Sequence, residues 1–180
     1  VQVDNLQKAC GFLGLPKEYC ILQDYGESFY YYVMTQKIET WNRSVGWYSF
    51  RDRHVTFRRM VLNAGNKPVP VMLETPVETE LSEDMEKRDA DFYAFVQNTL
   101  GKELYSSIQI NGDGFDQEWA KKSVKLLCYQ KRKVFYGNNL FARGACAAGA
   151  ERFITHRLRD YRYMSRSLVL TSVGMEMRVM

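Results

Sequence analysis

The sequence has no run of about 18 apolar residues, so no membrane-crossing helix and no membrane partner are expected. It has only two histidines, and its four cysteines (Cys10, Cys20, Cys128 and Cys146) form no C-x-x-C pair, a spacing that predicts no metal site. Scattered thiols among apolar neighbours fit a reducing compartment, most simply the cytoplasm. Charge of one sign is also scarce. A net charge of +4 over 180 residues does not call for a nucleic-acid partner. The opening "VQVDNLQKACGFLG" lacks the basic-then-apolar order of a secretory leader and reads as an amphipathic helix already under way. The chain is therefore expected to be a piece of something longer.

One stretch, "ERFITHRLRDYRYMSRS", gathers Arg152, Arg157, Arg159, Arg162 and Arg166 around Tyr161 and Tyr163. Basic residues interleaved with aromatics can grip phosphates and stack bases. The stretch reads instead as a solvated helix end whose arginine stems cover apolar surface, so nucleic acid is not expected as a partner.

The length fits one domain with a sizeable core. "DNLQKACGFLGLP" predicts a helix, with Leu6, Ala9, Cys10 and Leu13 on one face and Gly14 and Pro16 to stop it. "EYCILQ" predicts a short strand and "ESFYYYVMTQKIETW" a second helix. "SVGWYSF" and "HVTFRRMVLN", joined by "RDR", predict an antiparallel hairpin. "PVPVMLETP" predicts a half-buried strand, which its flanking prolines place at a sheet edge. The charged segment from Val77 to Gly101 predicts a long helix capped by Ser82. Then follow the strand "SIQIN", a turn at Gly112, Asp113 and Gly114, a helix through Cys128, the strand "KVFYG" and the small-residue helix "NLFARGACAAGAERFI". Hairpin strands beside a βαβα unit predict an α/β fold, a mixed sheet covered by helices.

In that order the chain resembles the second lobe of the actin, sugar-kinase and heat-shock-chaperone ATPase superfamily, which has a ribonuclease H-like fold. "CGFLGLPKEYCILQDYGESFYYY" matches the chaperones' helix, strand, acidic residue and small-residue helix, with Asp24 near the acidic position. "IQINGDGFDQEWAKKSVKLL" resembles the strand, adenosine turn and helix, and "KVFYGNNLFARGACAAGA" the helix with the A-x-G-A-A core. The resemblance implies a lobe over residues 1–166 and exit strands over 167–180 leading to a further region. It implies ATP or ADP as ligand, Asn111, Gly112, Asp113, Gly114 and Gly144 as binding residues, and Asp24 as the catalytic candidate. It also implies a first lobe, elsewhere in the same protein or in another, as partner, with self-association as a further expectation. Two readings of Gly112 and Gly114 stay open: bare backbone under an adenosine, or a turn that needs positive φ. The whole chain is also similar to the C-terminal region of an uncharacterised bacterial family with no established activity.

The family's glycine phosphate loop falls on "YSFRDRH", and no glycine occurs from Trp47 through Leu62. Its metal-facing aspartate falls on Tyr48 or Ser49, depending on the gap. Phe50 and Arg51 are expected to block the approach of β- and γ-phosphates, while Arg51 and Arg53 could hold a phosphate by charge. The expectation is a binding or scaffold module without ATP hydrolysis by this chain. The alternative is the ATP-binding lobe of an active ATPase or kinase whose first lobe lies outside this sequence.

Overall fold

The computed structural model describes residues 2–165. Helix α1 (Gln2–Phe12) precedes a single 3-10 turn and an unpaired approach to helix α2 (Tyr25–Met34). Strands β1 (Ser44–Arg51), β2 (His54–Leu62), β3 (Val69–Leu73) and β4 (Val77–Glu80) follow, then helix α3 (Met85–Leu100) and strand β5 (Tyr105–Gly112). Helix α4 (Lys121–Leu127), strand β6 (Lys133–Tyr136), helix α5 (Leu140–Ala150) and strand β7 (Tyr161–Met164) complete the order. The strands form one mixed sheet in the order β6-β5-β1-β2-β3-β7, with β4 beside the first half of β2. Strands β1, β2 and β3 are antiparallel, whereas β5 lies parallel to β1 and β6 parallel to β5. Helices cover both faces, as expected of a ribonuclease H-like α/β fold.

Alternation along β1 sorts its side chains between two cores. Val45 and Trp47 face α2 and α5, where they meet Phe29, Val33 and Leu140. Tyr48 and Phe50 face α3 and α4, among Phe92, Phe95, Phe115 and Leu127. Residues of one strand thus anchor both helix layers, which fixes the sheet between them. On the first side α5 presses against α2. A Cβ added at Gly144 would overlap the Ser28 carbonyl, and Ala148, one turn on, is also buried. Gly144 and Ala148 therefore serve a close crossing of the two helices.

Four local expectations are corrected. "EYCILQ" forms no strand; Glu18 and Tyr19 close the 3-10 turn, the rest runs unpaired toward α2, and Tyr19 and Leu22 are exposed. The helix expected from Val77 starts only at Met85. Val77 and Thr79, β-branched and just after Pro76, extend instead as β4 against Phe57 and Val55. Its cap is Asp84, which accepts from the Glu86 amide at 3.0 Å, while the Ser82 hydroxyl donates to Asp91 at 2.7 Å. Strand β3 is not at an edge, because β7 returns parallel beside it with Val71 opposite Tyr163. The arginine stretch contributes that strand: Tyr161 packs edge-on against Trp41 and Tyr163 lies 5.4 Å from the Tyr30 ring, so both tyrosines point into the core. The expected exit strands at 167–180 lie outside the described residues.

Candidate functional site

A crevice of about 690 Å³ opens where β1 and β5 end, on the sheet face that α2 and α5 leave uncovered. Ligands of open α/β sheets collect at such strand ends, where successive connections leave to opposite faces. Strand register builds its floor. Asn111 lies opposite Ser49, Ser49 opposite Thr56, and Thr56 opposite Glu78, so one polar row crosses β5, β1, β2 and β4. The row behind it sets Trp47 against Arg58, and the row in front sets Arg51 against His54. Tyr25 and Phe141, ring centroids 4.6 Å apart, form a wall with Asn138 beside them.

The rear of this floor is locked. Buried Trp47 donates from Nε1 to Asn111 Oδ1 at 2.7 Å and stacks on Phe29 at 4.6 Å. Arg58 lies 5.9 Å from the Trp47 ring centre, a cation–π distance. His54 sits 3.6 Å from both Glu78 and Glu80. Arg53 faces away, shared among Asp52, Glu80 and Glu83. Of the two hairpin arginines singled out in the sequence, Arg51 alone lines the crevice.

The turn after β5 is packed against the hairpin. Gly112 and Gly114 have φ of 101° and 151°. A Cβ on Gly112 would overlap the Phe50 carbonyl, and one on Gly114 the Asp52 carbonyl. The hairpin itself closes through Asp52 and Arg53 alone, with Asp52 at φ 52°. The Gly112 amide donates to Asn138 Oδ1 at 3.0 Å. Both glycines are thus accounted for by backbone-to-backbone approach, and the hairpin turns carbonyls toward them. Phe50, expected to plug a phosphate corner, points into the opposite core against Phe92 and Phe115. Tyr48 lies on that side too, its hydroxyl 2.6 Å from Thr99 and its pKa pushed up by burial. Ser49, between them in β1, faces the crevice instead.

The other sequence candidates separate. Asn111, Gly112 and Asp113 border the crevice, and Gly114 lies one residue beyond. Gly144 lies in the α2–α5 crossing. Asp24 caps α2, accepting from the Glu27 amide at 2.7 Å. Thr56, Arg58, Asn138, Tyr25 and Phe141 escaped the sequence reading. Only the polar row His54, Thr56, Arg58, spaced by two within β2, could have shown a floor there. Among the described residues no group of three or more His, Cys, Asp or Glu side chains is placed to hold a metal ion.

The family of unknown function DUF5716, in its C-terminal part, matches residues 1–166. The chain belongs to this DUF5716 C-terminal family. No curated protein matches it. Among solved structures, Thermus thermophilus RuvC shares 14% identity at a TM-score of 0.41, covering 53% of this chain and 63% of RuvC. T. thermophilus RuvC in complex with a Holliday junction substrate shares 13% at 0.40, covering 53% and 65%. The yeast mitochondrial Holliday junction resolvase Ydc2 shares 12% at 0.43, covering 91% and 79%. The DUF5716 chain thus spans less than two thirds of either RuvC chain. The expectation against nucleic acid is corrected to this extent: one of these similar structures is a complex with a Holliday junction substrate and another is a Holliday junction resolvase. That expectation rested on net charge and one linear patch. Folding brings Arg51, His54 and Arg58 onto one concave face, which neither quantity registers.

Proposed function

We propose that this chain is a ligand-binding lobe built on the actin, sugar-kinase and heat-shock-chaperone plan, with no phosphoryl transfer of its own. The observation that carries the reading is the packed corner between the hairpin and the glycine turn. Phosphoryl transfer rests on positioning and on neutralising charge, which bare amides in sequence supply to the phosphate oxygens. Here carbonyls of Phe50 and Asp52 face the glycines, and the Gly112 amide is engaged by Asn138. The inward positions at the strand ends hold an indole, a hydroxyl and a carboxamide, at Trp47, Ser49 and Asn111. A crevice of this volume still suits a small ligand, because its floor is polar and its wall aromatic.

The test is phosphate release from magnesium-ATP by this chain and by the longest protein that contains it. No release above the protein-free blank is expected from either. Release above that blank would overturn the proposal.

A further inference from the structure

Resting on the binding-lobe reading, we infer that the crevice holds a single phosphate group without a metal ion, gripped between Arg51 and Arg58. Among the described residues, no carboxylate lies within ion-pair distance of either guanidinium; Arg58 only overlies Trp47, and Arg51 has no polar partner. The hydroxyls of Ser49 and Thr56, adjacent in register between the two arginines, make no hydrogen bond within the described chain. Asn111 and Asn138 accept through Oδ1 from Trp47 and from the Gly112 amide, so their Nδ2 groups remain to donate. Two guanidiniums, two hydroxyls and two carboxamide N–H groups thus converge on one volume. Such a donor set fits a phosphate, whose oxygens are acceptors and which arginine forks bind in pairs.

Three further groups set the limits of the site. Glu78 and Asp113 also border it, and His54 lies 3.6 Å from Glu78. Glu78 has that histidine as a partner. Asp113 is exposed at the rim, has no partner among the described residues and opposes an anion. The arginines stand on adjacent strands, four residues apart in register and two on either side of the Ser49–Thr56 pair, so both border the same cavity. At the hairpin end of the crevice the corner beside Gly112 is packed. One phosphate, from a phosphomonoester or from a polynucleotide backbone, meets the donors without entering it.

Inorganic phosphate, a nucleoside monophosphate and a short single-stranded oligonucleotide, each in EDTA, are titrated against the chain. The readouts are calorimetry and NMR of the arginine and asparagine side-chain N–H groups. At least one probe is expected to bind and to shift the Arg51, Arg58 and Asn111 signals. Arg51→Gln and Arg58→Gln should each weaken it about tenfold to a hundredfold, the range of a charge-assisted hydrogen bond. Arg58→Lys, which keeps the charge and the cover over Trp47, should retain part of the affinity, and Asp113→Asn should tighten binding. Arg152→Gln, outside the crevice, should change nothing. A preference for the monophosphate assigns a small phosphomonoester, and one for the oligonucleotide assigns a nucleic-acid backbone; either supports the site. No binding by any probe, or binding indifferent to both arginine variants, would overturn it. Those failures would leave the absence of phosphate release intact, whereas release of phosphate from ATP would overturn the binding-lobe reading whatever the titrations show.

Discussion

Replacing Gly112 with alanine tests whether the turn after β5 is shaped by packing or reserved for a ligand. Gly112 sits at φ 101°, and its missing Cβ would overlap the Phe50 carbonyl. The left-handed backbone costs an L-residue about 1–2 kcal/mol, and forcing an atom into packed backbone adds about 1–3 kcal/mol, so a loss of about 3 kcal/mol is expected. For a chain of this size that loss lowers the Tm by roughly 6–12 °C. Gly14→Ala is the control, because Gly14 also has positive φ (68°) but has open space where a Cβ would stand. It should cost only about 1–2 kcal/mol, the backbone part. Thermal and urea melts of the ligand-free protein measure both. A Gly112→Ala protein that melts with the Gly14→Ala protein would refute the packed corner.

Three further outcomes follow from single contacts. Trp47→Phe keeps the stack on Phe29 but leaves buried Asn111 Oδ1 without its donor, so urea unfolding should show a loss of about 1–3 kcal/mol. Gly144→Ala should destabilise, although alanine is the better helix former by about 1 kcal/mol, because the overlap with the Ser28 carbonyl outweighs propensity; a rise in Tm would contradict the close α2–α5 crossing. Burial alone would push the Asp89 carboxyl up. The Lys122 and Ser123 amides and the Ser123 hydroxyl, which cap α4 on it, outweigh burial and hold its pKa below the ordinary carboxylate value. A lowered folded-state pKa stabilises above the unfolded value, about 3.9, and that stability is lost as pH falls through the folded value. Asp89→Asn should therefore destabilise at neutral pH by an amount that shrinks toward pH 2, read from urea melts across that range.

The sheet was legible in the sequence wherever side-chain alternation and a short connection coincided. Ser44 to Leu62 reads as a hairpin because "RDR" joins two β-rich runs, and the structure closes it at Asp52 and Arg53. Strand β4 was not legible, since the acidic run around it carries a helix-start signature and only pairing with β2 selects the extended form. Strand β7 was hidden for a similar reason: among five arginines, Tyr161 and Tyr163 find Trp41 and Tyr30 only after α5 carries the chain back across the sheet. The glycine turn was visible but its purpose was not, because the backbone pressed against it belongs to residues about 60 positions earlier in the chain. For the same reason Phe50 was read as a plug. Which face a strand residue takes depends on register, and one step places Phe50 in the α3 core and Arg51 in the crevice. The floor of the crevice joins four strands from Ser49 to Asn111, so no linear motif contains it.

On the proposed reading, the corner beside Gly112 gives no grip to a triphosphate tail. That reading is tested most directly by calorimetric titration of the wild-type chain with ATP and with AMP, each in magnesium and in EDTA. The account predicts affinities for the two nucleotides within about tenfold of each other, or about 1.4 kcal/mol, and unchanged by chelation. Magnesium-dependent binding of ATP about a hundredfold tighter than AMP, or more, would contradict it.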